Sequence, residues 1–378
     1  MRAPRIAVVL TQLGYGGAER QTYELLRRLA GSEWAPRLVI CLSEQLEPYG
    51  PLIEALGYPL VVIPRRSSFD LGRLRRLGAE LRAGRIELVH AVHLLASGYS
   101  WLARRAIAGR RMLPTVRGTV VRPGRLKSWT YRRMLRSCPV TLVNSRRGAA
   151  FLVERFGAPP NRLRVVPNGV DFSRLRAGAP GRLRAELGVD PELRLVGLVG
   201  KNRPVKNIPR FMEILRRLLA GGTPVAGVLI GHGLGEEART QLAPDLPAER
   251  LHLLGPRDDV PALLADLDLL LLTSDSEGCP NVVIEALGSG VPVVAGNVGD
   301  VEAMITPSRT GEIIDPPSDT GAFVAATRQV LAERDAYHRQ VLTDRSRLER
   351  QYSLDAMTRS TVELWQQVLE GAPESEAG

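Results

Sequence analysis

The residues best equipped for chemistry lie between Ser274 and Pro292, in the stretch SDSEGCPNVVIEALGSGVP. Glu277 and Glu285 stand eight residues apart there, with Gly278, Pro280 and Asn281 between them. An apolar run from Leu267 to Leu272 has the length and content of a buried strand, and Pro280 reads as the first residue of the following helix. Glu277 then falls in the turn at the strand's carboxyl end, and Glu285 about one and a half turns into the helix. The mouth of a parallel sheet is where open α/β folds bind ligands. The backbone amides of Asn281, Val282 and Val283 become the unpaired donors of a helix start, backed by the positive end of its dipole, which is an arrangement suited to phosphate. One carboxylate beside such a site can hold a sugar hydroxyl and the other a ribose hydroxyl. The plainer alternative is a pair of solvated acids at a helix start, where the dipole favours them anyway.

The string EGCPNVVIEA resembles the E-x7-E signature of retaining glycosyltransferases with the two-domain GT-B fold, most closely family 4, and the flanking EG-x-PN and SGVPVV strengthen the likeness. The resemblance implies an α/β chain of two Rossmann-like, doubly wound domains facing across a cleft. It also implies a nucleoside diphosphate sugar as donor, a UDP-sugar being the expected form, with neither metal nor other cofactor. A second segment, KNRPVKN, supports this. Arg203 and Lys206 lie three apart on a loop and helix start and can both reach a diphosphate, the first as a fork and the second as a point charge. In the family a basic pair at this place holds the donor's diphosphate, and Lys201, five before Lys206, has the spacing of another variant. Of the 51 basic residues only Lys127, Lys201 and Lys206 are lysines, so two of the three fall in this segment.

The elements that must position these residues alternate. Strand-like runs at Arg5 to Leu10, Arg37 to Cys41, Leu60 to Ile63, Glu87 to Val92, Pro114 to Arg117 and Val140 to Val143 are separated by helix-compatible sequence, the βαβ pattern of a parallel sheet. The loop after the first strand reads GYGGAER and lacks G-x-G-x-x-G spacing. Gly14, Gly16 and Gly17 offer close backbone approach to a ligand at a helix start, and the segment resembles the family's opening GG-A-E motif, whose glycines face the cleft. His90 and His93 end the fourth strand; the family often reads H-x-H here with a histidine near the donor sugar, and His93 is the better candidate. VVPNGVD, from Val165 to Asp171, resembles the end of the family's first domain, and the polar residues 173–190 read as a connector.

A second alternation follows, with strands at Leu195 to Gly200, Val225 to Ile230, Leu267 to Leu272 and Pro292 to Ala295 and a helix from Ile208 to Leu219, and Leu251 to Gly255 with Arg257 resembles the family's LG-x-x-D segment. The domains expected are 1–172 and 190–350, with a last helix at about 353–370, carrying Met357, Leu364, Trp365 and Val368 on one face, crossing back to the first. The likeness adds Gly233, in a G-x-G-like turn, and Arg257, near the nucleobase, to the binding residues. The candidates are therefore Glu277, Arg203, Lys206 and His93 for catalysis, and Gly16, Gly17, Lys201, Gly233, Arg257, Gly278, Asn281, Val282, Val283 and Glu285 for the donor. Asp266-Leu267-Asp268 has the D-x-D form of manganese-binding transferases, but Asp268 opens a buried strand instead of ending one, so no metal is expected there.

Charge is uneven. Residues 1–172 carry 29 basic and 11 acidic side chains, net +18, and residues 173–378 carry 22 and 29, net −7. From Leu88 to Val153 there are 13 bases and no acid, a face suited to an anionic surface. Leu126, Trp129 and Met134 fall in one arc of that segment, which adds surface contact with lipid to the expectation. Cys41, Cys138 and Cys279 are too few and scattered for a disulfide framework or zinc site. No apolar run approaches the roughly 20 residues of a membrane helix, and residues 1–20 lack a signal-peptide pattern. The chain is expected in the cytoplasm, peripheral on the inner face of the plasma membrane, transferring sugar to a glycan or lipid-linked acceptor in bacterial cell-surface polysaccharide or glycolipid synthesis. A sugar-nucleotide epimerase of the same fold shares the donor site. A nucleic-acid-binding protein would explain the basic face, but no interleaved aromatics or helix-turn-helix spacing accompany the arginines, so no nucleic-acid partner is expected.

Overall fold

A computed structural model describes residues 3–65, 70–107, 111–117, 123–176 and 181–371. In chain order the first part runs β1 (Ile6–Leu10), α1 (Gly17–Leu29), β2 (Leu38–Cys41), α2 (Tyr49–Ala55), β3 (Leu60–Val62), α3 (Leu71–Ala83), β4 (Leu88–Val92), α4 (Leu94–Leu102), β5 (Arg111–Val116), α5 (Arg125–Ser137), β6 (Thr141–Val143), α6 (Arg146–Phe156) and β7 (Leu163–Val165). The second continues with α7 (Phe172–Arg176), α8 (Arg182–Leu187), β8 (Arg194–Val199), α9 (Ile208–Ala220), β9 (Val225–Ile230), α10 (Arg239–Leu242), β10 (Leu251–Leu253), α11 (Val260–Leu264), β11 (Leu269–Leu272), α12 (Asn281–Gly288), β12 (Val293–Gly296), α13 (Val301–Ile305), β13 (Gly311–Ile314), α14 (Thr320–Ala332), α15 (Arg334–Tyr352) and α16 (Leu354–Glu370).

Two compact units result: Met1–Gly169 with Leu354–Gly378, and Val170–Ser353. Each is built on a parallel sheet, ordered β3-β2-β1-β4-β5-β6-β7 in the first and β10-β9-β8-β11-β12-β13 in the second. The central strands IAVVL, VAGVLI and LLLL are buried along their whole length, as strands covered by helices on both faces must be. In each sheet the order reverses beside the first strand of its unit, between β1 and β4 and between β8 and β11, and a crevice opens there at the carboxyl ends.

The helices show why they lie where they do. In α9 the residues Ile208, Phe211, Met212, Leu215 and Leu218 recur at helical spacing and are buried, each contributing about 1.5–3 kcal/mol on burial. Asn207 begins that helix in the left-handed conformation, at φ 49°, and its side chain accepts from the Arg210 amide. Met357, Leu364, Trp365 and Val368 of α16 are buried with Ile6, Leu25, Leu88, Leu113 and Leu142, so the last helix completes the first unit's core.

Two expectations are corrected. Residues 173–190 are no connector: α7 and α8 lie there, and Phe172, Leu175 and Leu183 are buried in the second unit's core, which begins at Val170. The hydrophobic residues of these short helices are too few to announce themselves among arginines. β5 begins at Arg111, not Pro114. Pro114 lacks the N–H that a central strand ordinarily uses, but pairing with β6 registers only from Thr115 onward, past the proline.

Candidate active site

The second unit gathers its chemistry at the reversal of strand order. Lys206 ends the loop after β8, and Glu277 lies in the loop after β11. Lys206 Nζ donates to Glu277 Oε1 at 2.7 Å, the side chains being 22% and 16% exposed. The two loops are stitched around this pair. Thr273 Oγ1 donates to the Lys206 carbonyl at 3.0 Å, the Asp275 amide donates to the Val205 carbonyl at 2.9 Å, and Arg210 bridges the Thr273 carbonyl and the Asp275 carboxylate. The Lys206 stem lies along Gly200, whose missing side chain leaves it room. Glu285 is the fifth residue of α12 and is 5% exposed.

The remaining donor candidates sort by position. Arg203 precedes the tight turn Pro204–Lys206, is exposed, and has no ion-pair partner among the described residues. Lys201 is half-buried on the same loop. Gly233 adopts φ 72° and accepts through its carbonyl from Asn202 Nδ2 at 3.2 Å, joining the loop after β9 to that after β8. Gly278 is buried, and its carbonyl accepts from the Asp300 amide at 2.9 Å. Gly299, at φ 58°, has no room for a side chain against that carbonyl, so the turn carrying Glu277 is held from behind by backbone.

The helix start needs a correction. α12 begins at Asn281 with Pro280 as its cap residue, one place later than expected, and the Val283 amide donates to the Pro280 carbonyl at 3.1 Å. Of the three amides proposed for a phosphate, Val283 is therefore engaged in the turn, because the helix opens with a tightened first loop. The side chains of Val282 and Val283 are buried, so only backbone can face a ligand there.

Arg257 stands apart from the Lys206 and Glu277 pair. Its guanidinium is held by Asp259 at 2.9 Å through two nitrogens and by Glu186 at 2.6 and 3.1 Å. Hydrogen bonds to Asp259 and then Glu186 raise its pKa, and bonding to Arg257 lowers that of both carboxylates. Its donors are committed to joining α8 to the loop after β10. The D-x-D residues are likewise committed: Asp266 accepts from the Gly181 and Leu183 amides at the start of α8, and Asp268 is buried against Arg184 at 2.5 Å, Arg334 at 2.6 Å and the Leu195 amide at 2.8 Å. Among the described residues no group of three or more His, Cys, Asp or Glu is placed to hold a metal.

The first unit repeats the pattern at its own reversal. Gly16 caps α1 and Gly17 begins it. The room that Gly16 leaves is taken by the Glu19 carboxylate, which folds back over the helix start. Glu19 is 4% exposed, accepts from Gln12 Nε2 at 3.0 Å, and lies 3.5 Å from His93 Nε2. Burial pushes its pKa up, but His93, its own backbone N–H and Gln12 outweigh that and leave the carboxyl below its ordinary value. His93 follows β4 at φ 74°, ψ 152°. That region is populated essentially by glycine and costs about 1–3 kcal/mol for any other residue. The backbone is held there by the His93 amide donating to the Thr115 carbonyl at 2.8 Å. His90 is buried instead, 2.8 Å from Thr115 Oγ1 and edge-on to Trp365, and burial and then Arg117 lower its pKa to about 3. It is a core residue.

A model of Glycosyltransferase Family 4 matches residues 15–174, and one of Glycosyl transferases group 1 matches residues 193–333. The chain belongs to glycosyltransferase family 4. The D-inositol 3-phosphate glycosyltransferase of Rhodococcus opacus strain B4 is 30% identical over 271 residues, covering 66% of this chain and 60% of that enzyme. This chain thus spans about three fifths of the length of that curated relative. Crystal structures of Alr3699/HepE from Anabaena superpose over 96% of this chain and 99% of that one, with TM-scores of 0.81 for the UDP complex and 0.78 for the UDP-glucose complex at 18% and 20% identity. The fold is the GT-B type expected from the sequence. The E-x7-E stretch lies on α12 and its approach loop, where Glu277 meets Lys206. The sequence reading missed Glu19, although it lies inside the family's GGAE string. Its signal is its position in the first turn of the helix that follows the glycines, where a carboxylate can turn back onto free backbone N–H groups.

Proposed function

We propose that the protein is a retaining, metal-independent glycosyltransferase that moves a sugar from a nucleoside diphosphate donor, expected to be a UDP-sugar, to a glycan or lipid-linked acceptor in bacterial cell-surface polysaccharide or glycolipid synthesis. The observation that carries this reading is the Lys206–Glu277 pair of 2.7 Å at the reversal of the second sheet, with Glu285 on the helix that follows. A donor entering there separates the pair. Lys206, joined by the exposed Arg203, takes the diphosphate, whose charge grows as it leaves, and Glu277 turns to the sugar hydroxyls and the positive charge developing at the anomeric carbon. Glu285 holds the ribose. The leaving phosphate oxygen accepts the acceptor's proton on the same face, which retains configuration without a protein nucleophile. Two cations against two negative charges supply what a metal would otherwise contribute. The UDP and UDP-glucose bound in the crystals of Alr3699/HepE support the choice of donor, and the similarity to the D-inositol 3-phosphate glycosyltransferase of Rhodococcus adds a phosphorylated polyol to the acceptors worth trying.

The test is a thermal-shift panel of UDP-, GDP-, ADP- and dTDP-sugars followed by transfer of labelled donor. A ligand at 100 times its Kd adds about 2.7 kcal/mol, a shift that Lys206→Ala should abolish and Lys206→Arg restore in part. Equal shifts in parent and Lys206→Ala would remove the donor site from this loop, and epimerised donor without transfer would make the protein an epimerase.

The acceptor is proposed to be reached at an anionic membrane. Arg125, Leu126, Lys127, Trp129, Arg132, Arg133 and Arg136 form the exposed side of α5, with Leu126 63% and Trp129 51% exposed and Arg133 over the Trp129 ring at 5.6 Å. Met134, expected in that arc, is buried in the first unit's core because it lies on the side shared with Tyr131 and Leu135. No described helix is long and apolar enough to cross a membrane. At about 1 kcal/mol per basic group near such a surface, three or four contacts give salt-sensitive binding. Equal sedimentation with neutral and anionic vesicles at low salt would refute it.

A further inference from the structure

His93, a catalytic candidate from its place after β4, is paired at the first unit's reversal with Glu19, which the sequence did not single out, and the pair is built with care. Glu19 comes from the loop-to-helix turn after β1, and His93 from the turn after β4, the two strands between which the order reverses. Each is held by further hydrogen bonds, and the Glu19 oxygen that faces His93 is the one that also accepts from Gln12. Gln12 donates to Glu19 Oε1 at 3.0 Å, and the His93 backbone is fixed in a glycine-like conformation by hydrogen bonds of its amide to Thr115 and of its carbonyl to the Ser97 amide. Strain of this kind persists only where the surroundings impose it, and it gathers at functional positions. Glu19 is almost fully buried, whereas His93 keeps 27% of its side chain exposed, so one partner is anchored and the other faces out.

We propose that Glu19 is a positioning residue: it holds His93 with the Nε2 proton toward its carboxylate, so that Nδ1 is left to accept a hydrogen bond from a substrate hydroxyl. A neutral imidazole has one donor and one acceptor nitrogen, and the partner of the first decides which nitrogen is the second. The separation of 3.5 Å is long for a hydrogen bond; such contacts in empty sites tighten when substrate arrives. Gly16 belongs to the same device, because a side chain there would displace the carboxylate from the helix start. The proposal rests on the transferase reading for the identity of the hydroxyl, but not for the pair itself.

The experiment uses the full chain. Nitrogen-15 spectra of the five histidines, with His93 assigned from His93→Gln, report its tautomer. The expected result is a single Nε2–H form in the parent and in Glu19→Gln, whose amide oxygen accepts the same proton, and a mixture in Glu19→Met. If Glu19→Met fails to fold, Glu19→Asp, which draws the carboxylate back by one methylene, gives the same reading. Glu19→Met should lower kcat on the order of tenfold with the donor KM within about twofold. In a His93→Gln background it should cost less than about twofold more, since residues acting through one another are not additive. An unchanged tautomer in Glu19→Met, or losses that multiply in the double variant, would overturn the proposal. If the parent turns over no nucleotide sugar, the transferase reading falls, while the tautomer still decides for or against the pair.

Discussion

Acidification should destabilise the first unit through His90. Its imidazole is 1% exposed, Nε2 is 2.8 Å from Thr115 Oγ1, and Nδ1 has no hydrogen-bond partner among the described residues. Protonation would add a second buried N–H without an acceptor, with Arg117 nearby, and the pKa falls accordingly from 6.5 to about 3. The sign follows from proton counting. Below pH 6.5 the unfolded chain binds a proton that the folded chain refuses, so stability is unaffected at pH 7.5 and falls as the pH drops toward 3. At about 1.4 kcal/mol per pH unit, going down to about pH 5 removes roughly 2 kcal/mol. All four tryptophans, Trp34, Trp101, Trp129 and Trp365, lie in the first unit, so their fluorescence in urea titrations follows that unit alone. The comparison is with His90→Gln, which keeps a polar group near Thr115 but cannot take up the proton. It should be less stable at pH 7.5 by about 1 kcal/mol, and its stability should fall less steeply with acid, by one proton's worth of slope. Parallel slopes for parent and variant would refute the reasoning, because His90 would then be no more reluctant to charge in the fold than outside it.

Gly231→Ala should destabilise the second unit by on the order of 3 kcal/mol, because φ is 143° and a Cβ would collide with the Gly200 carbonyl; circular dichroism must report it, since fluorescence does not see that unit. Asp268→Ala should cost about 2–3 kcal/mol by leaving Arg184 and Arg334 without their buried partner, and a loss below about 0.5 kcal/mol would make the cluster a surface ornament. In steady-state kinetics Glu285→Gln should mainly raise KM for the donor, and Glu277→Gln should lower kcat on the order of tenfold. Reversed effects would turn the donor around along this stretch.

Much of the fold was open to reading because its strands are buried on both faces and therefore announce themselves as apolar runs. Val225 to Ile230 has the same bounds in sequence and structure, and most other strands differ by a residue or two at one end. The exceptions have local causes. The proline in β5 hid the first three residues of that strand, and α7 and α8 carry so much arginine that the three apolar residues anchoring them, Phe172, Leu175 and Leu183, were lost in a polar background. Met134 was misplaced for a related reason. α5 carries bases over most of its exposed surface, and the arc chosen from Leu126 and Trp129 ran one position into the buried side.

The site was legible residue by residue but not as pairs. Lys206 and Glu277 are 71 positions apart and each could be assigned to the end of its own strand, but their contact depends on β8 and β11 being neighbours. The same holds for Glu19 and His93 across β1 and β4. Neighbourhood of this kind is set by right-handed crossovers that wind outward in opposite senses from a first strand, and nothing in the spacing of charged residues records it. The D-x-D string shows the converse. Asp266 and Asp268 have the spacing of metal ligands, but at the amino end of β11, away from the crevice, so their carboxylates are spent on the start of α8 and on arginines. The end of the strand at which a motif falls therefore separates ligand from scaffold: a carboxylate after a strand can meet a partner across the reversal, and the same carboxylate before it can only hold the fold.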